Sequence, residues 1–83
     1  MRKFKLSLKQ IEFLKKEYSE ELLVARILEK EKDGFFEVDV DTKIDFMEFI
    51  EDESVYCMDE DYEATSKTLM LESIRDEIYY QTN

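Results

Sequence analysis

The tightest constraint on this chain is one dipeptide. Asp33-Gly34 holds the only glycine in 83 residues, and there is no proline. Directly after it, Phe36, Val38 and Val40 alternate with Glu37, Asp39 and Asp41. Alternation of apolar and polar side chains is the period of a half-buried strand, and Asp-Gly is a strong short-range signal for a tight turn between two strands. A lone strand leaves its backbone groups unpaired, so the run must have a neighbour.

The simplest neighbour is the segment before the turn. Folding 22–31 back across Asp33-Gly34 places Lys30 opposite Glu37 and Arg26 opposite Asp41, both favourable cross-strand pairs. The same segment, Leu22-Leu23-Val24-Ala25-Arg26-Ile27-Leu28, is also good helix material, so a continuing helix is the competing reading. Phe4 and Leu6 are candidates for a third strand.

The rest of the chain reads as helix. Ser7 and Gln10 form a capping-box pair ahead of Leu8, Ile11, Leu14 and Tyr18, which predicts an amphipathic helix over 8–18. Thr42 with Asp45 resembles a second cap and opens a helix over 43–57, with Ile44, Met47, Ile50 and Ser54 on one face and Phe46, Phe49 and Val55 widening it. The acidic run at 59–63 reads as a linker. Thr65 or Ser66 caps a last helix over 66–81, in which Met70, Leu71, Ile74 and Ile78 form the apolar stripe. The expected fold is a single α+β domain spanning 1–83: a helix, a β-hairpin and two helices packed on a small antiparallel sheet. An all-α bundle of three to four helices is the alternative.

Composition narrows the function. With 43% hydrophobic residues, six Phe and five Tyr, the chain is too apolar for a disordered acidic tail. Cys57 is the single cysteine, so no internal disulfide forms, and its acidic neighbours favour a small buried hydrophobe over a reactive thiol. No apolar run is long enough to span a bilayer, and the basic start lacks a signal-peptide core, so a cytoplasmic protein is expected. The chain has no His, which removes the usual general base and, with one Cys, the usual zinc ligands. One glycine cannot build a phosphate-binding loop. No catalytic residue and no cofactor is expected.

Charge is the remaining signal. Residues 1–32 hold nine Lys/Arg against six Asp/Glu, a net +3, and residues 33–83 hold three against sixteen, a net −13. Such a field repels nucleic acid and attracts basic partners. The acids crowd between 45 and 63. Glu51, Asp52, Glu53, Asp59, Glu60, Asp61 and Glu63, with Tyr56 and Tyr62 among them, form the candidate partner-binding set, because Tyr is enriched at interfaces and acidic complementarity speeds capture of a basic protein. The expected role is a non-enzymatic inhibitor, immunity-type or DNA-mimicking, that masks a basic partner such as a nuclease or nucleic-acid-binding protein. Direct nucleic-acid or membrane binding is not expected, and homo-oligomerisation stays open.

Two alternatives accompany it. Glu37, Asp39, Asp41, Asp45 and Glu48 resemble the oxygen ligands of an EF-hand calcium loop at its first, third, fifth, ninth and twelfth places. Thr42 stands where that loop turns on Gly, and Glu37 is one carbon longer than the usual Asp. The third reading is a structural or oligomerisation subunit whose acids only keep it in solution.

Overall fold

Ser7 caps the first helix of the chain. Its hydroxyl accepts from the Gln10 amide, and the Gln10 carboxamide accepts from the Ser7 amide at 2.9 Å, so both capping-box bonds are made. The Gln10 carboxamide also donates to Ser73 Oγ at 3.2 Å, tying this cap to the last helix. The computed structural model describes residues 2–57 and 65–82. In chain order the elements are β1 (Arg2–Lys5), α1 (Leu8–Tyr18), α2 (Leu22–Leu28), β2 (Phe35–Val38), α3 (Val40–Tyr56) and α4 (Ser66–Thr82). The fold is α+β, with helices packed on a small two-stranded antiparallel sheet. The linker read at 59–63 lies outside the described residues.

The sheet is not the expected hairpin. β2 pairs with β1, from the start of the chain, in the register Arg2–Val38, Lys3–Glu37, Phe4–Phe36 and Lys5–Phe35. Residues 22–28 form helix α2 instead of the incoming strand. Leu23, Val24, Ile27 and Leu28 recur at helical spacing and reach the core or its margin. Beyond α2, the Lys30 and Glu31 amides donate to Ile27 and Leu28 carbonyls, so these amides are committed to the helix end and cannot extend a ladder.

The Asp33-Gly34 turn itself forms. Both residues have positive φ, 55° and 85°, the backbone of a tight turn that Gly adopts without a Cβ penalty. The turn joins Lys32 to Phe35 through two backbone hydrogen bonds of 2.8 and 2.9 Å. The incoming arm is therefore one residue long. The Lys30–Glu37 and Arg26–Asp41 pairs are not made; the ion pairs among the described residues are Lys67–Glu17, Arg75–Glu51 and Arg75–Asp76.

Phe4 and Phe36 face each other across the strands, their rings stacked with centroids 5.3 Å apart. They point inward with Val38 and Leu6, while Lys3, Lys5, Phe35 and Glu37 face outward. The free edge of β1 is closed by Gln81 of α4. Its carboxamide accepts from the Lys5 amide at 2.6 Å and donates to the Lys5 carbonyl at 2.7 Å, much as a neighbouring strand would. α4 thus packs on both β1 and α3, and its buried stripe of Thr68, Leu71, Ile74, Ile78 and Thr82 forms the centre of the core.

α3 starts earlier and faces differently from the expectation. Asp39, not Thr42, is the cap: its carboxylate accepts from the Thr42 amide at 2.8 Å. The buried stripe is Lys43, Phe46, Ile50 and Ser54. Ile44 and Val55, expected toward the core, remain 45% and 60% exposed. Packing against α4 has turned the helix so that its one lysine, only 6% exposed, lies inward.

Candidate docking face on helix α3

Rotation of α3 decides what the helix shows to solvent. It carries six Asp/Glu and a single Lys. With the lysine buried, the exposed surface is acidic along its whole length. Asp41, Asp45, Glu48 and Asp52 follow one another at steps of four, three and four residues, which stacks them on one face over about 16 Å of helix at 1.5 Å per residue. Glu51 lies beside them. Ile44, Val55 and Tyr56 are interleaved, and Tyr56 is 83% exposed. The result is a ridge of carboxylates set among apolar side chains.

Two features make the ridge costly to the isolated fold. Like charges three and four residues apart repel each other by a few tenths of a kcal/mol per pair. In addition, Glu51, Asp52 and Glu53 stand in the last two turns, where no basic residue is present. There the helix dipole presents its negative end, which costs an acid in the last turn, such as Glu53, about 0.3–1 kcal/mol and the acids one turn earlier less. Of the three, Glu51 makes an ion pair among the described residues: Arg75 Nη1 lies 3.9 Å from its Oε1, and the same guanidinium donates to Asp76 at 3.2 Å. A groove of ≈ 300 Å³ runs between the two helices here, lined by Met47, Glu51, Arg75, Asp76 and Tyr79.

The sequence-derived site residues divide. Glu51, Asp52 and Tyr56 come together on the exposed end of α3. Glu53 does not join them; it is half-buried, and its charge acts on Tyr18, whose hydroxyl lies 3.9 Å from Cys57 Sγ. Burial above all, then the Cys57 contact and the charges of Glu53 and Glu17, push the Tyr18 phenol well above its ordinary value. Nearby, Lys67 holds Glu17 at 3.0 Å, and that hydrogen bond with its charge raises the Lys67 pKa. Glu53 belongs to this corner. Asp59, Glu60, Asp61, Tyr62 and Glu63 lie outside the described residues.

Asp41 belongs to the ridge, though by sequence it falls in the strand alternation, opposite Arg26, and in the calcium-like series and not in the partner-binding set. Its signal was present in the sequence as the same-face spacing of 41, 45, 48 and 52, which becomes visible once α3 is known to begin at Val40. Ile44 and Val55 could not be found this way, because their exposure follows from the packing of α4.

The calcium-like series does not converge. Glu37 is on the outward face of β2, Asp39 is occupied as a helix cap, and Asp41, Asp45 and Glu48 sit on the helix that replaces the loop. No cluster of three or more potential metal ligands occurs among the described residues. No described helix is long and apolar enough to cross a membrane. No protein family, curated protein or solved structure matches this chain.

Proposed function

We propose that the protein is a non-enzymatic masking module that docks the acidic ridge of α3 onto a basic surface of another protein, with a nuclease or nucleic-acid-binding protein the favoured partner. The observation that carries this reading is the ridge itself. Its acids repel each other, and the C-terminal end where Asp52 stands holds no cation to offset the helix dipole, yet they are interleaved with exposed Ile44, Val55 and Tyr56. Acids that serve only solubility can be placed anywhere on the surface; these occupy positions that cost stability, which is where functional constraint is expected.

Mechanistically, carboxylates about one helical turn apart offer a row of negative charge roughly 5–6 Å in period, close enough in spacing to engage the lysines and arginines with which a protein grips a phosphate backbone. Long-range attraction speeds encounter, and the apolar residues then exclude water around the charge pairs. The partner loses its nucleic-acid site by occupation and by charge neutralisation. The cytoplasm is the compartment we assign, on the lone thiol of Cys57.

The test is affinity capture from the native host with the full chain at low and moderate salt, beside a Glu48→Lys/Asp52→Lys variant. Captured basic proteins are then purified and assayed for nucleic-acid binding with and without this chain. Salt-sensitive capture that is lost in the variant and competes with nucleic acid supports the reading. Capture that ignores salt, or that survives the double charge reversal, overturns it.

A further inference from the structure

The outward face of the sheet is the counterpart of the α3 ridge. Lys3 and Lys5 flank Phe35, their ammonium groups 4.9 and 5.4 Å from the ring centroid. Lys30 and Lys32 border the same surface, sharing with Lys3, Phe35 and two carboxylates, Asp33 and Glu37, a groove of ≈ 360 Å³. None of these four lysines is in an ion pair among the described residues. One polar face of the molecule thus sets four lysines against Glu37 and Asp33 around a half-exposed aromatic ring and is net positive, and another is acidic around Ile44, Val55 and Tyr56.

We infer that the sheet face around Phe35 docks the α3 ridge of a second copy of this chain. Charge complementarity selects the occupant, and the spacing agrees with it. Lys3 and Lys5 are two residues apart on a strand, about 6.6 Å at 3.3 Å per residue. Glu48 and Asp52 are four residues apart on a helix, about 6 Å at 1.5 Å per residue. Two lysines can meet two carboxylates while Phe35, across the strand from Lys5 and under both ammonium groups, rests against Val55 or Ile44 beside them.

The contact joins unlike faces, so it is head-to-tail, and the pair keeps one face of each kind open, one on each copy. A second copy's sheet face and a basic partner compete for the same ridge, and self-association becomes a store from which a tighter partner releases the chain. This inference rests on the reading of α3 as a docking face.

The net charge of −10 gives the contact a distinctive salt dependence. At low salt, whole-molecule repulsion opposes association. Near 0.15 M the Debye length is about 8 Å, so that repulsion is screened while charges in contact still attract. At high salt the contacts weaken too. Association therefore passes through a maximum at intermediate salt.

Sedimentation equilibrium of the full chain over a range of concentration and salt tests this. The expected result is concentration-dependent association with that maximum. Lys3→Glu/Lys5→Glu and Glu48→Lys/Asp52→Lys each weaken it about tenfold or more, because attraction is replaced by repulsion. An equimolar mixture of the two variants regains it, since each supplies a face the other lacks. A wild-type chain that stays monomeric throughout, association indifferent to the lysine reversal, or a mixture that fails to recover overturns the inference. Should a reversed chain lose its helical circular dichroism, Lys3→Gln/Lys5→Gln makes the same comparison by charge removal. Capture of basic host proteins separates this inference from the proposed function: the lysine variant retains capture, and the α3 variant loses both.

Discussion

The Thr68 hydroxyl donates to the Ser54 carbonyl at 3.1 Å, and both residues are buried. One turn earlier, the Thr65 hydroxyl donates to the Cys57 carbonyl at 2.9 Å. The last carbonyls of a helix have no intrahelical donor, so the start of α4 supplies partners for the end of α3. These two bonds set the axial position of one helix against the other, and with it which residues of α3 face solvent. Replacing Thr68 by the near-isosteric Val keeps the volume and removes the donor. Chemical denaturation is expected to show a loss of about 1–3 kcal/mol, the cost of leaving a buried polar group without its partner.

The acids at the end of α3 are expected to trade stability for binding. Asp52→Asn with Glu51→Gln removes two charges opposed to the helix dipole. The protein should gain a few tenths of a kcal/mol at Asp52 from relief of like-charge repulsion and the weak dipole term one turn from the helix end, and less at Glu51, where the Arg75 contact is lost. Thermal melting checks this. The same variant should bind a basic partner more weakly and associate more slowly at low salt. Unchanged stability would show that the ridge carries no energetic penalty.

Adjacent phenylalanines in β2 should behave in opposite ways. Phe36 is fully buried and stacked on Phe4, so Phe36→Ala is expected to cost about 3–5 kcal/mol, a large share of the stability of a domain this size. Phe35 faces outward beneath Lys3 and Lys5. Phe35→Ser should change stability little and weaken self-association. Urea titration of the two variants, followed by sedimentation, makes both comparisons.

Asp39 should contribute to the acid limb of stability. Its hydrogen bonds with Thr42 hold the carboxyl below its ordinary value of 3.8. The folded chain therefore takes up this proton less readily than the unfolded chain. Stability from the cap is complete above the unfolded value and is lost as pH falls through the lower, folded value. Asp39→Asn keeps a capping oxygen but does not titrate. The stability difference between wild type and variant should be greatest near neutral pH and close as the solution is acidified, measured by denaturation at several pH values.

Much of the fold was legible because some local signals leave little choice. The Ser7–Gln10 box fixes the start of α1, the Asp33-Gly34 pair fixes a turn whatever joins it, and the Leu71, Ile74, Ile78 stripe fixes the inward side of α4. The segment 22–28 was not legible. Six Leu, Val, Ala and Ile residues around Arg26 satisfy a strand and a helix about equally, and the outcome depended on which segment would pair with β2. That partner, Arg2–Lys5, is remote in sequence, and its four residues carry no turn signal linking them to Phe35.

For the candidate site, the sequence alone determined that the second part of the chain is strongly acidic, that the acids of 41–52 recur at helical spacing, and that the usual histidine and zinc chemistry has no residues to use. Tertiary structure decided the rest. Packing of α4 turned Lys43 inward and Ile44 and Val55 outward, and pairing of β1 with β2 gathered Lys3, Lys5 and Phe35 on the opposite kind of face. The physical reason is that helical periodicity specifies which residues share a face. Which face is buried is settled only by the neighbour that covers it.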